Sequence, residues 1–230
     1  MGKFVGGTLL AVLLVFSFSI ATVYSSGSRF HLLTPAEEVF LKSGKVLIIA
    51  KVEGYHEGKT VEIFDNGKTI GFAPIKKEIF VNSLNLAKGR HELTLAAPGI
   101  ERLKLKIFIG KQEGYRYHIE TDVSSCDTCH PGAAKGDYSI AGNDEALCSD
   151  CHDPIKKGKF VHGPVAAGSC TSCHDPHGSR NKYFLRATGK ELCLSCHDQN
   201  LSQKHIEERR NAVCTKCHDP HSSDRKYHLL

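Results

Sequence analysis

Tryptophan is absent from the 230 residues, and the one methionine is the initiator Met1. A mature chain without methionine has no thioether side chain to offer a metal, so any metal chemistry must use other donors. Large aliphatic and phenyl side chains are scarce in one half of the chain. Residues 118–230 contain 17 Leu, Ile, Val and Phe in 113 positions, against 24 in 66 for residues 45–110. The second density suffices for an ordinary hydrophobic core. The first is a level at which a chain normally stays unfolded, so something other than aliphatic side chains must fill that interior. Basic residues are interspersed with acidic ones, leaving a net charge of +5 and no stripe of Lys and Arg interleaved with aromatics. Nucleic-acid binding therefore has no support.

What the chain has in excess is cysteine and histidine: ten of the former, all between 126 and 217, and fourteen of the latter. The first 25 residues stand apart. Lys3 precedes an apolar run from Phe4 to Val23, and small residues follow to Ser25. This predicts a secretory signal over 1–25, with an uncleaved membrane anchor as the alternative. No cysteine directly follows the run, which argues against a lipid anchor.

Residues 26–44 are expected to form a linker with a short helix. Thr34 and Glu37 match a capping box, and Pro35 suits the first helical position. Residues 45–112 are expected to form a small all-β sandwich. Strands are predicted at 46–49, 61–64, 68–72, 78–86, 91–97 and 102–109, with Asn66-Gly67 as a tight hairpin turn. The segment Lys88 to Leu95 resembles the closing hairpin of bacterial immunoglobulin-like modules. His56 and His91 fall at turn or strand-start positions and read as surface polar residues.

Residues 113–230 carry one motif five times: Cys126-x-x-Cys129-His130, Cys148-x-x-Cys151-His152, Cys170-x-x-Cys173-His174, Cys193-x-x-Cys196-His197 and Cys214-x-x-Cys217-His218. Every cysteine is used, and every pair is followed at once by histidine. Two thiols on one helical turn can form thioethers to the two vinyl groups of a haem. The adjacent histidine then offers its imidazole to the iron, which makes this spacing the attachment signature of c-type haem. Zinc sites pair C-x-x-C units, but five is odd and zinc needs no trailing histidine. Disulfides across such short, strained loops likewise leave the histidines unexplained, and a thioredoxin-like site would need one motif on an α/β fold rather than five on a loop-rich chain. Five covalent haems are expected. The motifs are separated by 17, 17, 18 and 16 residues, too few to wrap each porphyrin separately. Neighbouring haems must share walls, and their faces supply the missing core. Their propionates offset the positive sequence charge, which is then no guide to partners.

The motifs sit in a larger repeat. An upstream histidine (His118, His162, His205) precedes motifs one, three and five, and Asp-Pro-His follows motifs three and five, ending at His177 and His221. Here the sequence resembles the multihaem cytochromes with doubled C-x-x-C-H motifs of bacterial respiratory and extracellular electron transfer, over about residues 118–230. The resemblance implies low-spin, bis-histidine haems in closely packed pairs, and export. The count of remaining repeat histidines agrees: His118, His162, His177, His205 and His221 supply five distal ligands to accompany the proximal His130, His152, His174, His197 and His218. The distribution does not agree. Unit one has one distal candidate for two haems, because Ala133 and Ile155 stand where an Asp-Pro-His histidine would fall, and the third unit has two for one. A histidine of the third unit, His205 or His221, is therefore expected to reach back to the first pair, within the chain or from a neighbouring copy. His228 is a further candidate whose bland reading is an exposed tail residue. The run Lys156-Lys157-Gly158-Lys159 reads as a solvated loop. Tyr138 and Tyr183 are available to pack on porphyrins.

These readings point to an exported, periplasmic or cell-surface electron-transfer protein of bacterial type, with redox proteins as partners, no nucleic acid, and no catalytic residues. A multihaem reductase with one open iron and a polymerising cytochrome wire are the alternatives.

Overall fold

The computed structural model describes residues 27–54, 58–110, 114–118, 123–140, 142–153, 155–197, 205, 208 and 213–230. The signal segment and His56 lie outside the described residues. Among the described residues, no helix is long and apolar enough to cross a membrane.

Eight strands build the N-terminal half: β1 Ser28–Thr34, β2 Glu38–Leu41, β3 Lys45–Glu53, β4 Thr60–Asp65, β5 Lys68–Lys76, β6 Ile79–Asn85, β7 Gly89–Ala97 and β8 Ile100–Ile109. They form one sheet in the order β1-β3-β6-β5-β4-β7-β8-β2, and β1 also pairs with β8. The closing contacts are parallel, Ser28 opposite Ile100 and Arg29 opposite Glu101. The expected all-β domain is thus present, as a single sheet that closes on itself like a barrel. The 66–67 hairpin forms as its sequence dictates, with φ of 47° at Asn66 and 80° at Gly67. Phe80, Ile48, Ile63, Leu93, Leu95, Leu105 and Ile107 are fully buried at its centre.

The helix expected within 26–44 does not form; both halves of that segment are strands. Phe30, Val39 and Leu41 turn into the core with strand-like alternation. Val39 to Leu41 pair in parallel with Ile107 to Ile109, covering a β8 edge that a helix would have left open. Thr34 does not cap: it is fully buried, and its hydroxyl lies 2.6 Å from the Tyr115 hydroxyl. Sheet pairing here outweighs a local capping preference worth about 1 kcal/mol. The β-domain therefore begins at the first described strand rather than at residue 45.

His91 also departs from its expectation as a surface residue. It is buried, its Nδ1 is 2.7 Å from Asp65 Oδ2, and its Nε2 is 2.9 Å from the Ala87 carbonyl.

The C-terminal half is built from short pieces: β9 Arg116–Tyr117, α1 Asp144–Cys148, β10 Phe160–Val161, α2 Gly163–Ala166, β11 Gly178–Ser179, α3 Gly189–His197 and β12 Ser222–Ser223, interspersed with short 3₁₀ segments. Beyond Tyr115, the only hydrophobic residue buried among those described is Cys126. The segment preceding the haem motifs is pinned to the barrel. The Tyr117 hydroxyl donates to the Leu47 carbonyl at 3.0 Å and accepts from the Leu47 N–H at 3.1 Å. From further along, Arg180 donates to the Glu38 carbonyl at 3.1 Å, and Lys77 meets Asp137 at 2.7 Å.

Burial works against a charge on His91, but hydrogen bonds to Asp65 and Ala87 and the Asp65 carboxylate outweigh it, so its pKa is raised. A raised folded-state value contributes stability that is fully present below the ordinary histidine pKa and lost as pH rises through the folded one. Hydrogen-exchange protection of β7 and β8 in the full chain should fall from pH 6 to pH 8. The variant His91→Gln should flatten that dependence and lose about 1–2 kcal/mol of protection at low pH.

Candidate metal centres

Each motif folds on one turn. The His130, His152, His174 and His218 N–H groups donate to the carbonyls of Cys126, Cys148, Cys170 and Cys214 at 2.8, 2.9, 3.0 and 2.9 Å. Cys193, Cys196 and His197 lie within α3. Four-residue closure places the first thiol and the imidazole one turn apart along the chain. All ten cysteines are free thiols.

The Asp-Pro-His segments form their own turns. Asp175 Oδ1 accepts from the His177 N–H at 3.0 Å, and Asp219 Oδ1 accepts from the His221 N–H at 2.8 Å and the Ser222 N–H at 3.1 Å. Aspartate two residues ahead of the turn's end makes such a bond readily. Each turn is then clamped to the start of the preceding unit. β11 pairs with β9, β12 pairs with β10, and the N–H groups of His118 and His162 donate to the carbonyls of His177 and His221 at 3.2 and 2.9 Å. The upstream histidine of one unit and the Asp-Pro-His histidine of the next are thereby held side by side.

The four histidines of these clamps each face a motif histidine, and His205 stands beside the fifth. Ring centroids are 6.4 Å apart for His130 and His177, 6.0 Å for His152 and His118, 6.2 Å for His174 and His221, 5.8 Å for His197 and His162, and 6.3 Å for His218 and His205. The first four pairs have ring planes 10° to 28° apart, and the fifth 68°. Such rings are too distant to touch. A metal–imidazole bond of about 2 Å on each side sets two rings that grip one ion about 6 Å apart, so these separations suit two imidazoles sharing one metal. No three His, Cys, Asp or Glu side chains converge as a compact metal cage among the described residues.

The pairing corrects the expectation that a third-unit histidine serves the first pair. His177 of unit two faces His130, and His221 of the third unit faces His174, so each Asp-Pro-His reaches back by one unit. Ala133 needs no histidine, because no unit precedes it. His228 is no exposed tail residue. It is half-buried and lies edge-on to His162 at 5.5 Å, as Phe184 lies edge-on to His118 at 5.1 Å. Tyr138 lies edge-on to His130 at 5.8 Å, whereas Tyr183 is 65% exposed. The lysine run is also more than a solvated loop: Lys156 pairs with Glu145 at 2.6 Å, and the Lys157 and Gly158 N–H groups donate to Ser222 Oγ.

Electrostatics suit neutral ligands. Burial foremost lowers the pKa of His118, His162, His177 and His221, favouring uncharged imidazoles at neutral pH. Nδ1 of His174 and of His218 lies 2.7 Å from the Tyr183 and Tyr227 carbonyls respectively. Such a partner fixes the proton on Nδ1 and leaves the Nε2 lone pair for a metal. Burial, and then the neighbouring Cys170 thiol, push Cys148 up to about 11, and Cys193 beside Cys214 behaves alike. Cys129 and Cys173 are raised by burial and then by Cys151 and Cys196. Consecutive motifs therefore lie next to one another along the chain.

Residues 162–201 match the family model described as doubled CXXCH motif. This motif implies covalently bound c-type haem and an electron-transfer cytochrome carrying more than one. No curated protein matches the chain. Among solved structures, the chain is similar to fibronectin(III)-like modules of Clostridium thermocellum CbhA, at 18% identity and a TM-score of 0.30 over 35% of this chain and 96% of that one. It is also similar to an FMN-binding beta-glucuronidase from Facaelibacterium prausnitzii, at 14% identity and a TM-score of 0.30, covering 39% of this chain and 13% of that one.

Sequence reasoning found all ten paired histidines. It missed Phe184 and the two tyrosine carbonyls, although the copy at a 44-residue offset continues past Asp-Pro-His into Lys182-Tyr183-Phe184-Leu185 and Lys226-Tyr227-His228-Leu229.

Gly178 tests the clamp. A Cβ there would stand 2.6 Å from the Arg116 carbonyl oxygen and 2.8 Å from the Tyr115 ring. Gly178→Ala should part β9 from β11 and cost about 1–3 kcal/mol in denaturant unfolding of the full chain. Gly163→Ala, where the added carbon meets nothing within 4 Å, should cost far less.

Proposed function

We propose that the chain is an exported pentahaem c-type cytochrome that relays single electrons along five bis-histidine centres between redox partner proteins. The observation that carries this reading is the set of five histidine pairs at about the same ring separation, one for every C-x-x-C-H motif. The cysteines of each motif would hold a haem by two thioethers, with His130, His152, His174, His197 and His218 on one face. His177, His118, His221, His162 and His205, in that order, would take the other. Bound haem supplies the one-electron chemistry. The chain's part would be to orient the imidazoles, to lower by burial the pKa of His118, His162, His177 and His221, to hold neighbouring motifs side by side, and to shield the ring faces from water. Two histidines at each centre would leave a bound metal no open position for substrate, which favours a carrier over a reductase. The apolar run at 4–23 and the thiol-rich motifs suit export to the periplasm or cell surface. The barrel, tied to the haem half through Tyr115, Tyr117 and Glu38, would cap the chain of centres at its motif-one end.

Histidine replacement separates these assignments. His177→Ala should open the motif-one iron and His221→Ala the motif-three iron, each adding about one haem equivalent of high-spin ferric EPR signal. His205→Ala should affect motif five alone. If His221→Ala or His205→Ala instead opens a haem of the first pair, the pairing is wrong. The wild-type spectrum should also contain two kinds of low-spin signal. Four centres with near-parallel rings should be rhombic, and the motif-five centre, with rings 68° apart, more anisotropic.

A further inference from the structure

Two turns of the haem half adopt a backbone that their residue types avoid. Tyr183 and Phe184 have φ of 60° and 55°, and Tyr227 and His228 have φ of 61° and 55°. Consecutive non-glycine residues in the left-handed region are uncommon, and such strain persists where the surroundings impose it. Here they do. The Asp175 and Asp219 N–H groups donate to the Phe184 and His228 carbonyls, both at 2.7 Å. Ser179 Oγ and Ser223 Oγ donate to the Leu185 and Leu229 carbonyls. The tyrosine rings gain little from this arrangement, since they are 65% and 77% exposed. What the left-handed turn presents inward is the tyrosine carbonyl, 2.7 Å from Nδ1 of His174 in one copy and of His218 in the other. The next residue's ring, Phe184 or His228, lies edge-on to His118 or His162, which faces the histidine of the preceding motif. His130 of motif one differs, because its buried Nδ1 has no hydrogen-bond partner.

We infer that the Lys182–Leu185 and Lys226–Leu229 turns are positioning devices that set the haems of motifs three and five at lower reduction potential than that of motif one. They do so by holding His174 and His218 through a strained backbone carbonyl. This rests on the reading of the histidine pairs as haem ligands. An Nδ1–H donated to a carbonyl makes its imidazole more electron-rich, which stabilises ferric over ferrous iron. Reducing equivalents would then collect at the barrel end of the chain. Through Phe184 and His228, each turn also braces the distal imidazole of the adjacent centre.

The test is a spectroelectrochemical titration of the full holoprotein, with haem content and ferric EPR recorded on the same samples. Tyr183→Gly and Tyr227→Gly keep the left-handed backbone and its carbonyl; Tyr183→Val and Tyr227→Val oppose it, because a β-branched side chain disfavours positive φ. Each valine variant should move about one haem's share of the absorbance change to higher potential, while each glycine variant should titrate like the wild type. If valine and glycine variants coincide, both shifted or both unshifted, the carbonyl does not set the potential and the inference is overturned. Should Tyr183→Val fail to mature, the Tyr227 pair, three residues from the end of the sequence, decides alone. A wild-type sample with fewer than five haems, or with high-spin iron, would instead overturn the ligand assignment, and this inference with it.

Discussion

Two imidazole rings about 6 Å apart exert almost no force on one another, yet the C-terminal half sets up five such pairs, four of them with near-parallel rings. That spacing has a purpose only if something binds both rings at once, and the rest of the half can be understood as scaffolding for it. The 3₁₀ turns and α3 aim the motif histidines, and the two-residue strands bring up their partners. Burial lowers the pKa of four of those partners. With no aliphatic residue beyond Tyr115 buried among those described, this half has little else to hold it together. Cofactor binding and folding must be tightly linked here.

Reach-back pairing of histidines gives the array its order. Each Asp-Pro-His turn brings its histidine to the first motif histidine of the unit before it. The third unit instead sets its own His205 beside His218, and both junctions between units carry a histidine pair, a strand pair and a thiol contact. The scheme explains an irregularity that counting alone leaves unresolved. Unit one lacks an Asp-Pro-His because nothing precedes it, and the third unit, with a single motif, pairs His205 with His218 at a ring angle unlike the others. The barrel occupies the position that an earlier unit would have taken, and β9, leading out of it, supplies the edge on which β11 docks.

Much of this was legible in the sequence, and what was not has a physical reason. The Asn66-Gly67 hairpin and the β3 to β8 strands are local patterns, so periodicity and turn chemistry found them. Residues 28–41 carry helix-start signals that are equally local, but β1 was claimed by pairing with β3 and β2 by pairing with β8, some sixty-five residues away. His91 looked like a strand-start surface residue because nothing nearby in sequence announces Asp65. The five motifs, and the histidines that answer them, were plain because covalent attachment imposes fixed spacing. The assignment of partners was not, because it depends on which two-residue strands pair across units. Tyr183 and Tyr227 contribute through a carbonyl, and no side-chain pattern marks that role.

The most direct test of the account is the intact mass of the purified full-length protein, read together with the spin state of its ferric form. The account predicts five covalently attached haems and low-spin iron throughout, with no high-spin population. Fewer than five haems, or one high-spin equivalent in the untreated protein, would contradict it, since each motif histidine would then no longer be matched by a partner on the opposite face.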